Sequence, residues 1–176
     1  MCPEPAFASR PDAMASPGVA LVRRPIDTEG LLRAVARPSA GGNVLFVGTT
    51  RGVTDGVGTR SLDYEAHEPL ATAALVRLAG EAIARFGLVA CAVEHRLGVV
   101  AVGESSVGIA TSAAHRADAF AAAEWLMARI KREVPIWKCE EGLDGSRRWV
   151  HPDIPAGVDG APPVIAGSPG TRGAAR

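Results

Sequence analysis

Basic side chains in this sequence stand where elements begin or end, and their spacing suits the capture of an anion. Arg51 follows the apolar run Val44 to Val47 and opens a glycine-rich stretch. His115 and Arg116 precede a long apolar-periodic segment, so they fall at a helix start, where free backbone N–H groups and the helix dipole favour negative charge. Lys131 lies near the end of that segment, and Lys138 follows Pro135. Proline does not continue a helix, so the chain reverses there and the two lysines can face one cavity. Arg51 together with the His115-Arg116 pair would make a phosphate cradle.

Each residue also has a plainer use. A basic group in the last turn of a helix serves the dipole and solubility, and Lys138 beside Trp137 could be an exposed position of an edge strand. His95 falls on an apolar strand face and reads as a satisfied, partly buried histidine. His67, His95, His115 and His151 share no HxxxH or HExxH spacing, so no metal site is expected. Cys2, Cys91 and Cys139 form no CxxC pair, which argues against a disulfide framework or zinc knuckle and for a reducing, cytoplasmic setting. Cys139 beside Lys138 is a candidate nucleophile, but no histidine is near it in sequence. The glycines match neither GxGxxG nor a P-loop.

The elements that must position these groups are legible from periodicity. Val19 to Val22 predicts a short strand, and Asp27 can cap a helix that turns Leu31, Leu32 and Val35 toward the core. Val44 to Val47 predicts a buried strand. Arg51 to Thr59, with three glycines and an Asp, predicts a mobile loop. Leu62, Tyr64 and Ala66 alternate with Asp63, Glu65 and His67 as in a half-buried strand. Pro69 suits a first helical turn, with Ala71, Leu75, Leu78 and Ala82 at helical spacing until Gly87. Strands are expected at Val89 to His95, with the odd positions sharing a face, and at Ser106 to Thr111. A helix from about Ala114 carries Phe120, Ala123, Met127, Ile130 and Val134 on one stripe and ends at Pro135. Ile136 to Glu140 and Arg147 to Val150 flank Asp144-Gly145, a hairpin signal. Strand pairs among three helices predict an α+β fold.

The chain of 176 residues carries 19 Lys plus Arg and 19 Asp plus Glu, a formal net charge of zero. Nucleic-acid and polybasic membrane-surface partners therefore find no support. No apolar run approaches the roughly 18 residues of a transmembrane helix. One domain is expected over residues 19–153. The segments 1–18 and 154–176, rich in Pro, Ala, Gly and Ser, read as disordered tails with too little to bury.

The motifs Phe46-Val47-Gly48-Thr49-Thr50-Arg51, Leu62-Asp63-Tyr64-Glu65-Ala66, Glu94-His95-Arg96-Leu97-Gly98, Thr111-Ser112-Ala113-Ala114-His115-Arg116 and Lys131 to Glu140, in this order, resemble the MoaE family, the large, catalytic subunit of molybdopterin synthase. The resemblance implies an α/β-hammerhead-type fold with antiparallel strands and three helices, and a homodimer within a heterotetramer. It implies a partner, a small ubiquitin-like sulfur-carrier subunit whose C-terminal Gly-Gly is a thiocarboxylate. That carrier would sulfurate cyclic pyranopterin monophosphate to form the molybdopterin dithiolene, without an organic or metal cofactor. Lys131 and Lys138 align with the family's catalytic lysines, and Arg51 and the His115-Arg116 pair with its anion-binding groups. The same segments add Thr49, Thr50, Cys139 and Glu140 to the implied substrate site. Two departures stand out: Thr49 occupies a position often basic in relatives, and His151-Pro152-Asp153 replaces a segment in which some relatives carry an arginine, leaving Arg147 or Arg148 to compensate. A non-catalytic adaptor for the carrier tail is the alternative, and retention of both lysines and the His-Arg pair favours the enzyme. A phosphate-binding enzyme of unrelated chemistry would fit the basic cluster alone.

Overall fold

The computed structural model describes residues 17–54 and 56–150, and the segments predicted as tails lie almost wholly outside these. In chain order the elements are β1 (Gly18–Val22), α1 (Thr28–Val35), β2 (Gly42–Thr49), β3 (Val53–Thr54), β4 (Val57–Ala66), α2 (Glu68–Phe86), β5 (Ala90–Arg96), β6 (Gly98–Ala101), β7 (Ser105–Ala113), α3 (Arg116–Glu133), β8 (Ile136–Gly142) and β9 (Arg147–Val150). The class is α+β, as expected, with strands paired mostly antiparallel in two sheets.

The first sheet runs β1-β5-β7-β2, with only β1 and β5 parallel. Its two faces are covered by different helices. Cys91, Val93, Val107 and Ile109 pack against Leu75, Leu78, Leu126 and Ile130 of α2 and α3. Ala90, Ala92 and Ala110 meet Leu31 and Val35 of α1 on the other face. Strand alternation sorts β5 between two cores, which is why its sequence is apolar at consecutive positions. The Thr111 hydroxyl donates to the Ala119 carbonyl at 2.9 Å and ties α3 to β7.

The second sheet is built on β4, which pairs with β6 on one side and β8 on the other, with β9 beyond β8. Its register sets Tyr64 opposite Lys138 and Leu62 opposite Glu140, while Asp63 faces Cys139. Lys138 and Glu140 thus share one face, and Cys139 takes the other.

Four sequence expectations need correction. Residues 51–59 are not a mobile loop throughout: Val53 and Thr54 pair with Gly58 and Val57 in a hairpin, Gly56 adopts φ +81°, and the Thr59 N–H bonds the Gly52 carbonyl at 2.9 Å. Turn glycines there permit a tight reversal rather than disorder. Leu32 is exposed, because α1 offers only its Leu31 and Val35 edge to the sheet. Phe120 is 62% exposed, and the buried stripe of α3 is Ala119, Ala122, Ala123, Leu126 and Ile130. Alanines at these positions let the helix lie close to β7, and Phe120, one residue past Ala119, falls on the outward side. The helix itself opens at Arg116, with His115 as its N-cap residue.

Candidate active site

A cavity of about 350 Å³ opens where the two sheets meet the end of α3. Each wall comes from a different element. β2 supplies Phe46, Gly48 and Thr49, and Arg51 stands just past it. The last turns of α3 contribute Met127, Ile130 and Lys131. The second sheet supplies Leu62 and Tyr64 from β4, Lys138 and Glu140 from β8 and Val150 from β9, with His95 and Ser106 completing the floor.

Local sequence explains these placements. Pro135 follows the end of α3, and the Val134 N–H still bonds the Ile130 carbonyl at 3.2 Å. The chain then turns directly into β8, so Lys131 on the helix and Lys138 on the strand border one space. Near the other wall, Gly48 pairs with Val107 and Thr49 with Ser105, leaving Ser106 as the extra residue of a β-bulge. A bulge re-aims side chains, and both Ser106 and Val107 line the cavity as a result. Gly48 is required here, since a Cβ would lie 2.6 Å from Val107 Cγ1.

Charge in the cavity is arranged around Glu140. The Lys138 ammonium donates to Oε1 at 3.1 Å and the Arg148 guanidinium to Oε2 at 3.0 Å. Burial pushes the Glu140 carboxyl up, but these hydrogen bonds and charges outweigh it and hold the group below its ordinary value. The nearest charged partner of Lys138 is therefore a carboxylate rather than another cation. Arg51 is exposed and makes no ion pair among the described residues. The Tyr64 phenol is pushed up by burial, partly opposed by its bond to Ser106 and reinforced by the Glu140 charge.

Of the residues singled out in the sequence, Thr49, Arg51, Lys131, Lys138 and Glu140 come together. Thr50 is adjacent but buried behind them, its N–H bonded to the Glu104 carbonyl at 3.0 Å and its hydroxyl without a partner. Cys139 is 1% exposed on the opposite face of β8 and does not line the cavity. His115 and Arg116 stand at the far end of α3, roughly 24 Å from Lys131 at 1.5 Å of rise per residue, so one copy of the chain does not cluster them with the lysines. Arg148 approaches the site through Glu140, whereas Arg147 bonds Asp63 at 3.1 Å on the other face. His151 to Asp153 lie outside the described residues. Sequence reasoning passed over Phe46, Tyr64, Ser106 and Val150 as lining residues. Period-2 alternation could have placed Tyr64 with Lys138, but only once the β4–β8 register was known.

Residues 21–133 match the MoaE protein family. The chain belongs to the MoaE family. A similar curated protein is the molybdopterin synthase catalytic subunit of Emericella nidulans, 42% identical over 118 residues that cover 67% of this chain. The chain spans 60% of the length of that relative. Among solved structures, molybdopterin synthase from Staphylococcus aureus superposes with a TM-score of 0.71 at 34% identity, covering 78% of this chain and 98% of the other. A complex of subunits 1 and 2 of the molybdopterin-converting factor from Helicobacter pylori matches with a TM-score of 0.60 at 25% identity over 73% of this chain and 87% of the other. These MoaE-family matches agree with the α+β class read from the strand and helix pattern. Among the described residues no helix is long and apolar enough to cross a membrane.

Proposed function

We propose that this MoaE-family chain is the catalytic subunit of a molybdopterin synthase, working in the cytoplasm. It transfers sulfur from a thiocarboxylated, ubiquitin-like carrier to cyclic pyranopterin monophosphate. The convergence of Arg51, Lys131 and Lys138 on one cavity carries the reading. Arg51 at the mouth holds the substrate phosphate, where an arginine fork matches phosphate oxygens. The carrier's terminal glycine enters beside Lys131.

In each half-reaction the thiocarboxylate sulfur forms a bond to a side-chain carbon of the substrate as a carbon–oxygen bond at that carbon breaks, the oxygen leaving as water or with the phosphate. Water then cleaves the acyl–sulfur bond, leaving the sulfur on the pterin and releasing the carrier as a carboxylate. Negative charge develops on oxygen in both stages. The Lys138 ammonium, held by Glu140, opposes that charge. Lys131 plays the same part at the glycine carbonyl. Two transfers complete the dithiolene.

A homodimer within a heterotetramer accounts for the remaining cations. The His115-Arg116 pair, fixed at the far end of its own α3, meets the phosphate bound by a second copy. The test is to mix the protein with thiocarboxylated carrier and cyclic pyranopterin monophosphate and to measure molybdopterin. Lys138→Ala should lower turnover at least about a hundredfold, the usual cost of removing one charge stabiliser, with carrier binding retained. Near-parental turnover in that variant would refute the assignment.

A further inference from the structure

The floor of the cavity holds a polar group that the cationic rim leaves unused. His95 is 6% exposed, and its Nδ1 lies 3.0 Å from the Arg96 carbonyl oxygen. A carbonyl only accepts, so Nδ1 carries the ring proton and Nε2 keeps its lone pair. Burial lowers the imidazole pKa to about 4, the Arg96 contact opposing it weakly, so the ring is neutral near pH 7. Nε2 meets no donor among the described residues, yet it is not among the polar atoms sealed from solvent without a partner. The ring lines the cavity.

Its surroundings fix the ring and add a second acceptor. Tyr64 packs edge-on, with ring centroids 5.1 Å apart and planes at 73°. The Tyr64 hydroxyl donates to Ser106 Oγ at 3.3 Å, and the bulged Ser106 donates onward to the Gly48 carbonyl at 3.4 Å. With its proton committed to this relay, the Tyr64 oxygen can only accept a further bond. The cavity thus holds both kinds of partner: Arg51, Lys131 and Lys138 only donate, whereas His95 and Tyr64, the latter opposite Lys138 in the β4–β8 register, only accept.

We propose that His95 is a substrate-binding residue whose Nε2 accepts a hydrogen bond from an N–H of the substrate's heterocycle, orienting the ring while the cations hold its phosphate. The inference rests on the sulfur-transfer reading, in which the ligand is an anion at one end and an N–H-rich pterin at the other. A ring without a donor at that edge would leave a buried acceptor unpaired, which selects against it.

Binding of cyclic pyranopterin monophosphate to the full chain, measured by calorimetry without carrier, tests this alongside turnover with the thiocarboxylated carrier. His95→Asn keeps an amide N–H for the Arg96 carbonyl and removes the acceptor at Nε2. His95→Gln places an amide oxygen near that position. We expect Asn to weaken substrate binding about tenfold and to raise KM in parallel, as for a buried group left unsatisfied. Its kcat should change far less, and Gln should recover most of the affinity. Parental affinity in a folded His95→Asn protein overturns the inference, as does an equal loss in both variants, which would mark a packing role. Either result leaves the sulfur-transfer reading standing if the parent still binds and turns over. A parent that neither binds the pterin nor yields product removes both.

Discussion

Replacing Glu140 with Gln isolates the charge on which Lys138 depends. The Glu140 side chain is 11% exposed, against 33% for Lys138 and 54% for Arg148. A charge-assisted hydrogen bond contributes about 1.5 to 3 kcal/mol when buried, and an exposed ion pair about 0 to 1. The Lys138 contact falls between these ranges and the Arg148 contact near the lower one, so the variant should lose about 2 kcal/mol of stability. The kinetic effect should be larger than that figure suggests. Without the carboxylate, the ammonium is no longer drawn to one position, and misplacement of a reacting group by an ångström can cost about a hundredfold. We therefore expect kcat to fall between about tenfold and a hundredfold with substrate affinity little changed. Urea denaturation and single-turnover sulfur transfer would measure the two effects. Because the folded carboxyl lies below its ordinary 4.5, its contribution is present above that pH and is lost as pH falls through the lower folded value. The Gln variant should lack this component. Turnover within about twofold of the parent, far short of the expected fall, would refute the idea that Glu140 positions Lys138.

Cys139→Ser should keep most activity, since the thiol is buried on the face of β8 away from the cavity; a persulfide on Cys139 detected by mass spectrometry during turnover would overturn this. Mixed dimers of Lys138→Ala and Arg116→Ala copies should regain about one quarter of parental activity in a random mixture, because only the mixed species then builds one intact site from two chains. No recovery would show that the His115-Arg116 pair does not act across the dimer. His95 titrates near 4 when folded against 6.5 when exposed, so its contribution to stability is present above 6.5 and is lost as pH falls toward 4. Between pH 7 and pH 5 this amounts to about 2 kcal/mol, and His95→Asn should flatten the dependence of the urea midpoint over that interval.

The helices were legible because each repeats a periodic apolar stripe and ends in a recognisable signal. Asp27 accepts the Gly30 N–H at 2.8 Å, Gly87 terminates α2, and Pro135 separates α3 from β8. Phe120 falls outside the buried stripe of α3, because size and hydrophobicity do not reveal which side of a helix faces a close-packed sheet. The glycines of residues 53–58 permit a loop or a hairpin, and only the pairing with the start of β4 decides between them. Strand β6 gave no separate signal, since its four residues acquire strand geometry from their partner β4.

The cationic half of the site could be read from local rules. A basic residue after a buried strand, another in a last helical turn and a third on the strand beyond a proline already converge once the chain must reverse at Pro135. Sequence alone therefore determined the α+β class and the identity of the cavity lysines, whereas Cys139, which the resemblance adds to the substrate site, is turned to the opposite face of β8 by the fold. What it did not determine was the relation between segments far apart in the chain. The β4–β8 register brings Tyr64 beside Lys138, the β-bulge at Ser106 turns a hydroxyl inward, and burial leaves His95 a neutral acceptor on the cavity floor. The rigid length of α3 likewise separates His115 and Arg116 from Lys131, although the chain reads as one basic cluster. Periodicity acts over a few residues, whereas register, desolvation and distance depend on the packing of whole elements, and only the tertiary structure decides them.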